Sequence, residues 1–219
     1  MTIRAKLYAA IVLTILGPLA TTAVALHGMS QMGDRFDEVQ ERSRHQSIAQ
    51  ELKFAVTDMN GWQTAYGYDN GASRPVFLRS VATLREDLRR AAATLSDARE
   101  RQLLAEVRRD FGGFMALDQV AYRALQAGRE QRVRDIFLGP EIARFTAMAG
   151  TADALARYEA RRAQATQRAF DDARDDARKR LIAVALGAGI VIVLLLVTAS
   201  DVARLALEGE RQRRARADD

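Results

Sequence analysis

The stretch from His45 to Tyr66, HQSIAQELKFAVTDMNGWQTAY, decides the fold. Its clearest heptad register is His45, Ile48, Leu52, Ala55, Met59, Trp62 and Tyr66. The steps between them alternate three and four, so on a helix these side chains form one stripe that must be buried against other helices. Reading outward, the helix is predicted from about Gly28 to Tyr68. It ends at Asp69-Asn70-Gly71, where Asn-Gly marks a turn. Ser73 is then a candidate cap for the next helix. Pro75 falls in the first turn of that helix, where a missing N–H costs nothing.

The same periodicity recurs three times. Phe77, Val81, Leu84, Leu88, Ala91 and Leu95 predict a second helix over Arg74 to Thr94. Ser96 is a candidate cap for a third, from about Asp97 to Gln126, striped by Leu104, Val107, Phe111, Phe114, Asp118, Ala121 and Leu125. Gly112-Gly113 inside it costs about 1 kcal/mol per glycine against alanine, which points to a close helix contact or a local bend. Gly128 ends that helix. A fourth starts near Glu130, is interrupted at Gly139-Pro140, and carries Ile142, Phe145, Met148, Ala152 and Leu155. Beyond Tyr158 alanines replace the large apolar residues, so packing there is close or weak. Four striped helices joined by short turns predict an all-α fold, an antiparallel up-down four-helix bundle.

Two apolar runs flank this region, Leu7 to Leu26 and Leu181 to Ala199. Each has the roughly 20-residue length that crosses a bilayer as a helix. The expectation is that the outer bundle helices continue into two transmembrane helices. The chain then divides into an N-terminus (1–6), a first span (7–26), an extracytoplasmic bundle domain (27–180), a second span (181–200) and a short tail (201–219). Arg4 and Lys6 before the first span, and Arg204, Arg211, Arg213, Arg214 and Arg216 after the second, place both termini in the cytoplasm. Arg178, Lys179 and Arg180 oppose this, although long loops translocate largely regardless of such charges. Ala23-Val24-Ala25 also allows a cleavable signal peptide. The length of the run and the helix-forming sequence after it favour an uncleaved anchor.

Composition narrows the chemistry. The chain has no cysteine and only two histidines, His27 and His45, which exclude a disulfide framework, thiolate chemistry and a His-rich metal site. The net charge of +5 is spread over arginines interleaved with acids, as in RAFDDARDDARKR. That pattern is a solvated helix face rather than a nucleic-acid-binding motif. No phosphate-cradling glycine loop, zinc signature, nucleophile elbow or kinase set is present. No enzymatic activity, cofactor or metal is expected.

Three polar features remain. Asp58, Asn60, Trp62, Gln63, Tyr66 and Tyr68 gather aromatics, amides and a carboxylate into about three turns. Such a mixture suits a small-ligand pocket, or else a core aromatic pair among surface groups. Asp118 falls on an apolar stripe, where a carboxylate must be paired or neutral. An arginine or tyrosine from another helix, a bound cation, or a register shift that exposes it would each answer it. His45 is expected to be a structural or subunit-contact histidine.

The stretches ELKFAVTDMNGWQTAYGYDNG, RPVFLRSVATL and ALQAGREQRVRDIFLGP, between two apolar runs, resemble the sensory half of bacterial methyl-accepting chemotaxis receptors. The resemblance implies a homodimer that binds an extracellular small molecule or protein partner and transmits the event through its membrane helices. Such receptors continue into a HAMP linker and a signalling domain. Asp201 to Asp219 leaves no room for either, so pairing with a full-length receptor is also implied. The competing expectations are a non-sensory membrane scaffold, with its arginine-rich tail on anionic lipid, or the input part of a histidine kinase or cyclic-dinucleotide enzyme.

Overall fold

The structure is a computed structural model that describes residues 3–215; in 3–11, 13, 18, 20, 201–203 and 205–215 it describes the backbone only. Five α-helices follow in order: α1 (Ile3–Tyr68), α2 (Arg74–Thr94), α3 (Ala98–Gln126), α4 (Glu130–Ile136) and α5 (Ile142–Ala215). A π-helical turn, Phe137–Glu141, joins α4 to α5. The chain divides into two units, one comprising 37–168 and the other 1–36 with 169–219.

The unit 37–168 is a four-helix bundle whose fourth element is α4, the π turn and the start of α5. Its core follows the predicted stripes. Leu52, Met59 and Tyr66 of α1 pack with Phe77 and Leu84 of α2, Val107 and Phe114 of α3, and Met148 and Leu155 of α5. Trp62 departs from its stripe: it is 38% exposed, and Gln63 is buried in its place. Ile142 is likewise exposed: the stripe of Phe145 and Met148 runs back to Glu141, which is buried in its place.

The helix ends have specific causes. Asn70 and Gly71 adopt positive φ (54° and 93°), and the Gly71 N–H donates to the Tyr66 carbonyl at 2.8 Å. Ser73 makes no side-chain cap for α2. Its hydroxyl donates instead to Asp69, which chiefly holds the Asp69 carboxyl below its usual range, and its N–H adds a bond at 2.9 Å. Asp97, not Ser96, caps α3 through a reciprocal capping box with Glu100. Gly113 permits a close approach by Arg144: a Cβ there would lie 3.1 Å from its Nε.

In the unit of 1–36 and 169–219, Phe36 and Phe170 meet at 6.4 Å between ring centroids, and Arg35 donates to the Ala169 carbonyl. One stretch among the described residues, within Glu130–Ser200, is long and apolar enough to cross a membrane. Leu186, Ile190 and Leu196 lie exposed on it. This corrects the expectation of two spans. There is one such stretch among the described residues; in the run 7–26, residues 7–11, 13, 18 and 20 lie outside the described side chains. The expected two-pass topology with both termini cytoplasmic is corrected with it, to one candidate span among the described residues. Residues 1–2 and 216–219 of the predicted tails lie outside the described residues.

Candidate functional site

At the end of the bundle where α1 turns into α2, three helices meet around one carboxylate. Asp118 of α3 has no solvent exposure. Arg74, the first residue of α2, donates to both of its oxygens, at 2.7 and 2.8 Å. The Tyr66 hydroxyl of α1 donates to the Oδ1 that Arg74 also holds. The planar guanidinium matches the carboxylate fork, which makes this the stronger kind of charged hydrogen bond. Burial alone would disfavour the Arg74 charge, but Asp118 more than offsets it and the pKa rises. Burial, then the Asp118 charge, drives the Tyr66 phenol well above its usual range, so it stays a donor.

Aromatic rings close the rest of this space. The Arg74 Cζ lies 4.2 Å from the ring centroid of Tyr122, 4.8 Å from Tyr66 and 5.0 Å from Phe77. These are cation–π distances in a desolvated setting. Phe137 stands edge-on to Tyr66 at 5.9 Å. Gly67 lets it in, because a Cβ at that position would lie 2.3 Å from Phe137 Cε2. Arg74 therefore occupies the space that a ligand would need.

Glu141, in the π turn, borders this cluster. It is buried, and neither of its oxygens has a hydrogen-bond partner. Burial and the nearby Asp118 charge push its carboxyl up to about 8, against an opposing pull from Arg74 and Gln63. It is thus largely protonated at neutral pH. Gln63 faces it, with its own amide nitrogen unpartnered.

The predicted site residues do not converge. Tyr66 and Asp118 share the cluster, and Gln63 adjoins it through Glu141. Asp58 points elsewhere and accepts from Ser80 of α2 at 2.6 Å. Asn60 is partly exposed, Trp62 more so, and Tyr68 is 88% exposed. Asp118 is answered by both an arginine and a tyrosine, so the register shift that would expose it does not occur. An open groove of about 450 Å³ lies instead between α1 and α2, lined by Glu51, Phe54, Asp58, Ser80, Asp87 and Arg90. Of the predicted residues only Asp58 reaches it.

Sequence reading missed Arg74 and Glu141. A signal for each existed. An arginine in the first turn of a helix opposes the helix dipole, so Arg74 needed another reason to be there. Glu141 stands four residues before Phe145 and seven before Met148, on the apolar stripe itself.

A second buried cluster lies elsewhere in the bundle. His45 of α1, Glu100 of α3 and Glu159 of α5 are 4%, 0% and 0% exposed. The His45 Nδ1 lies 3.6 Å from Glu100 Oε1 and 3.9 Å from Glu159 Oε2. His45 Nδ1 and both Glu159 oxygens lack hydrogen-bond partners. Burial, followed by the neighbouring Glu100, pushes the Glu159 carboxyl up to about 7. Arg162 donates to Glu100 at 3.1 Å and to Asp97 at 2.9 Å, and Tyr158 also donates to Asp97 at 3.0 Å.

Compared with known protein families, curated proteins and solved structures, the chain shows no match.

Proposed function

We propose that this protein is a membrane-attached helical interaction module, whose bundle self-associates through the groove between α1 and α2. One observation carries the reading. The site that sequence offered to a small ligand is filled by the protein's own Arg74, whereas Phe54 stands 73% exposed at an open groove. A large exposed aromatic beside a concave surface suits helix-in-groove contact. Along the groove Arg90 pairs with Glu51 and Asp87, and Ser80 donates to Asp58, so its charges are met within the chain and Phe54 is left as the unpartnered group. A second copy of the chain is the proposed occupant, because a twofold pair sets the two grooves against each other and would bury both Phe54 rings at once. The apolar stretch within Glu130–Ser200 supplies the attachment.

The test is the mass of the full chain in detergent, by light scattering or sedimentation. Wild type should be a dimer and Phe54→Glu a monomer of unchanged helicity. A monomeric wild type, or a dimer indifferent to Phe54→Glu, contradicts the reading.

A second reading, signal input, draws support from Glu141. A carboxyl without a donor, set in a π turn beside an ion pair, is a group that a ligand or a proton could re-pair. A thermal-shift screen of the full chain against small metabolites tests it. A rise in melting temperature that Glu141→Gln removes would favour input.

A further inference from the structure

We propose that His45, Glu100 and Glu159 form a binding site for one divalent transition-metal ion, of the zinc class, inside the bundle. Each contributes one candidate ligand atom from a different helix, and these atoms all lie within 4.8 Å of one another. A tetrahedral zinc holds its ligands at about 2.0–2.2 Å, which separates them by about 3.4 Å. The contacts of 3.6 and 3.9 Å from His45 Nδ1 need only a small contraction to meet that spacing. One imidazole with carboxylate oxygens suits first-row divalent ions better than calcium or magnesium, which prefer all-oxygen shells. A His-rich site is excluded by composition, but this set needs only one histidine.

Acidic clusters are common without a metal. What distinguishes this one is what its atoms lack. Glu159 is fully buried, and neither of its oxygens meets a donor. The His45 Nδ1 facing it is also unpartnered. Such groups are normally satisfied in a folded interior. The tautomer is favourable as well. His45 Nε2 faces Glu41 Oε1 at 3.7 Å, one helical turn away. That carboxylate would hold the proton on Nε2 and leave the Nδ1 lone pair free, the arrangement in which metal-bound imidazoles are commonly held.

The charges close on a dication. Glu100 and Glu159 supply two negative charges to the centre. Arg162 also faces Glu100, but its charge is shared with Asp97 at 2.9 Å. Arg42 reaches Glu159 only through its field. Glu100 can serve without losing its capping role: Oε2 accepts from the Asp97 N–H, while Oε1, which faces His45 and accepts from Arg162 at 3.1 Å, would give the ion its second lone pair. The alternative use of the cluster is a single proton shared between Glu159 and Glu100.

The experiment titrates the full chain in detergent, stripped with chelator, with Co²⁺ and then Zn²⁺. The expected result is one Co²⁺ per chain, with visible d–d absorption that Zn²⁺ displaces and a higher melting temperature. Glu159→Gln keeps the volume and removes the charge. It should retain the fold and lower Co²⁺ affinity by more than the roughly 10–100-fold typical of an outer-shell change, as should His45→Ala. Absence of stoichiometric binding overturns the proposal. So does binding of equal strength in Glu159→Gln, which would put the ion on an exposed acidic face. A melting temperature that responds to pH near 7 but not to metal would assign the cluster to the shared proton instead.

Discussion

The bundle buries two charged clusters with opposite states of satisfaction. Around Asp118, both oxygens are held by Arg74, Tyr66 adds a donor, and aromatic rings exclude water. Around Glu159, the neighbours are a second carboxylate and an unpartnered imidazole nitrogen, and no donor reaches either Glu159 oxygen. Both clusters bring together three elements of the same bundle. The difference teaches that burial of a charge does not by itself mark a site. A closed network ties helices together at fixed geometry. An open one stores an unmet demand that a proton or a cation can satisfy.

The comparison can be broken most forcefully at Arg74. Arg74→Met leaves Asp118 buried without a cation and should cost about 3–5 kcal/mol of stability in denaturant unfolding. Adding Asp118→Leu should recover much of that loss, because an apolar pair of similar volume replaces the ion pair. If Arg74→Met unfolds no more easily than wild type, the closed network is not holding the bundle.

The pH dependence sharpens the open side. Glu141 and Glu159 bind protons more tightly folded, at about 8 and about 7, than at the ordinary 4.5. Their contribution is therefore fully present below pH 4.5. It is lost as pH rises through 7 and 8, because the folded state holds the extra protons over that interval. Asp97 and Asp153 are shifted the other way, so their contribution is lost only in acid, below the usual carboxylate range. Stability should therefore decline from pH 5 to pH 8.5 by on the order of a few kcal/mol. The double variant Glu141→Gln with Glu159→Gln should flatten the profile. An unchanged slope in that variant would remove both groups from the account.

Gly67→Ala probes packing around the closed cluster. The added Cβ meets the Phe137 ring at 2.3 Å, and displacing that ring should cost about 1–3 kcal/mol. The smallest effect belongs to Trp62→Ala. Trp62 lies 38% exposed and off the core, so its loss should change stability by less than about 1 kcal/mol. A loss as large as that of a core aromatic would restore Trp62 to the stripe on which its spacing placed it.

Much of the bundle was legible because helix stripes are set by periodicity. Every residue of the α2 stripe, from Phe77 to Leu95, is buried as its spacing predicts. Periodicity locates a side chain only to within part of a helical turn. That is enough to confuse Trp62 with Gln63 at the end of a long helix, and Ile142 with the buried Glu141 beside it. The site was half legible. Asp118 announced itself as a carboxylate on an apolar face, and so did His45. Glu100, Glu141 and Glu159 continue the stripes of Leu104, Met148 and Leu155 and carried the same signal. Reading them requires extending each stripe through its charged ends. Which of these groups face one another depends on how the helices are rotated about their axes, and no single-helix pattern contains that.

The most direct test of the distinction between the clusters is carbon-13 titration of the glutamate side-chain carboxyls in the full chain, without added metal. The account predicts midpoints of about 8 for Glu141 and about 7 for Glu159, each assigned by its Gln variant. A midpoint near 4.5 for Glu159 would show that its carboxylate finds donors or water, and would contradict the open cluster at its foundation.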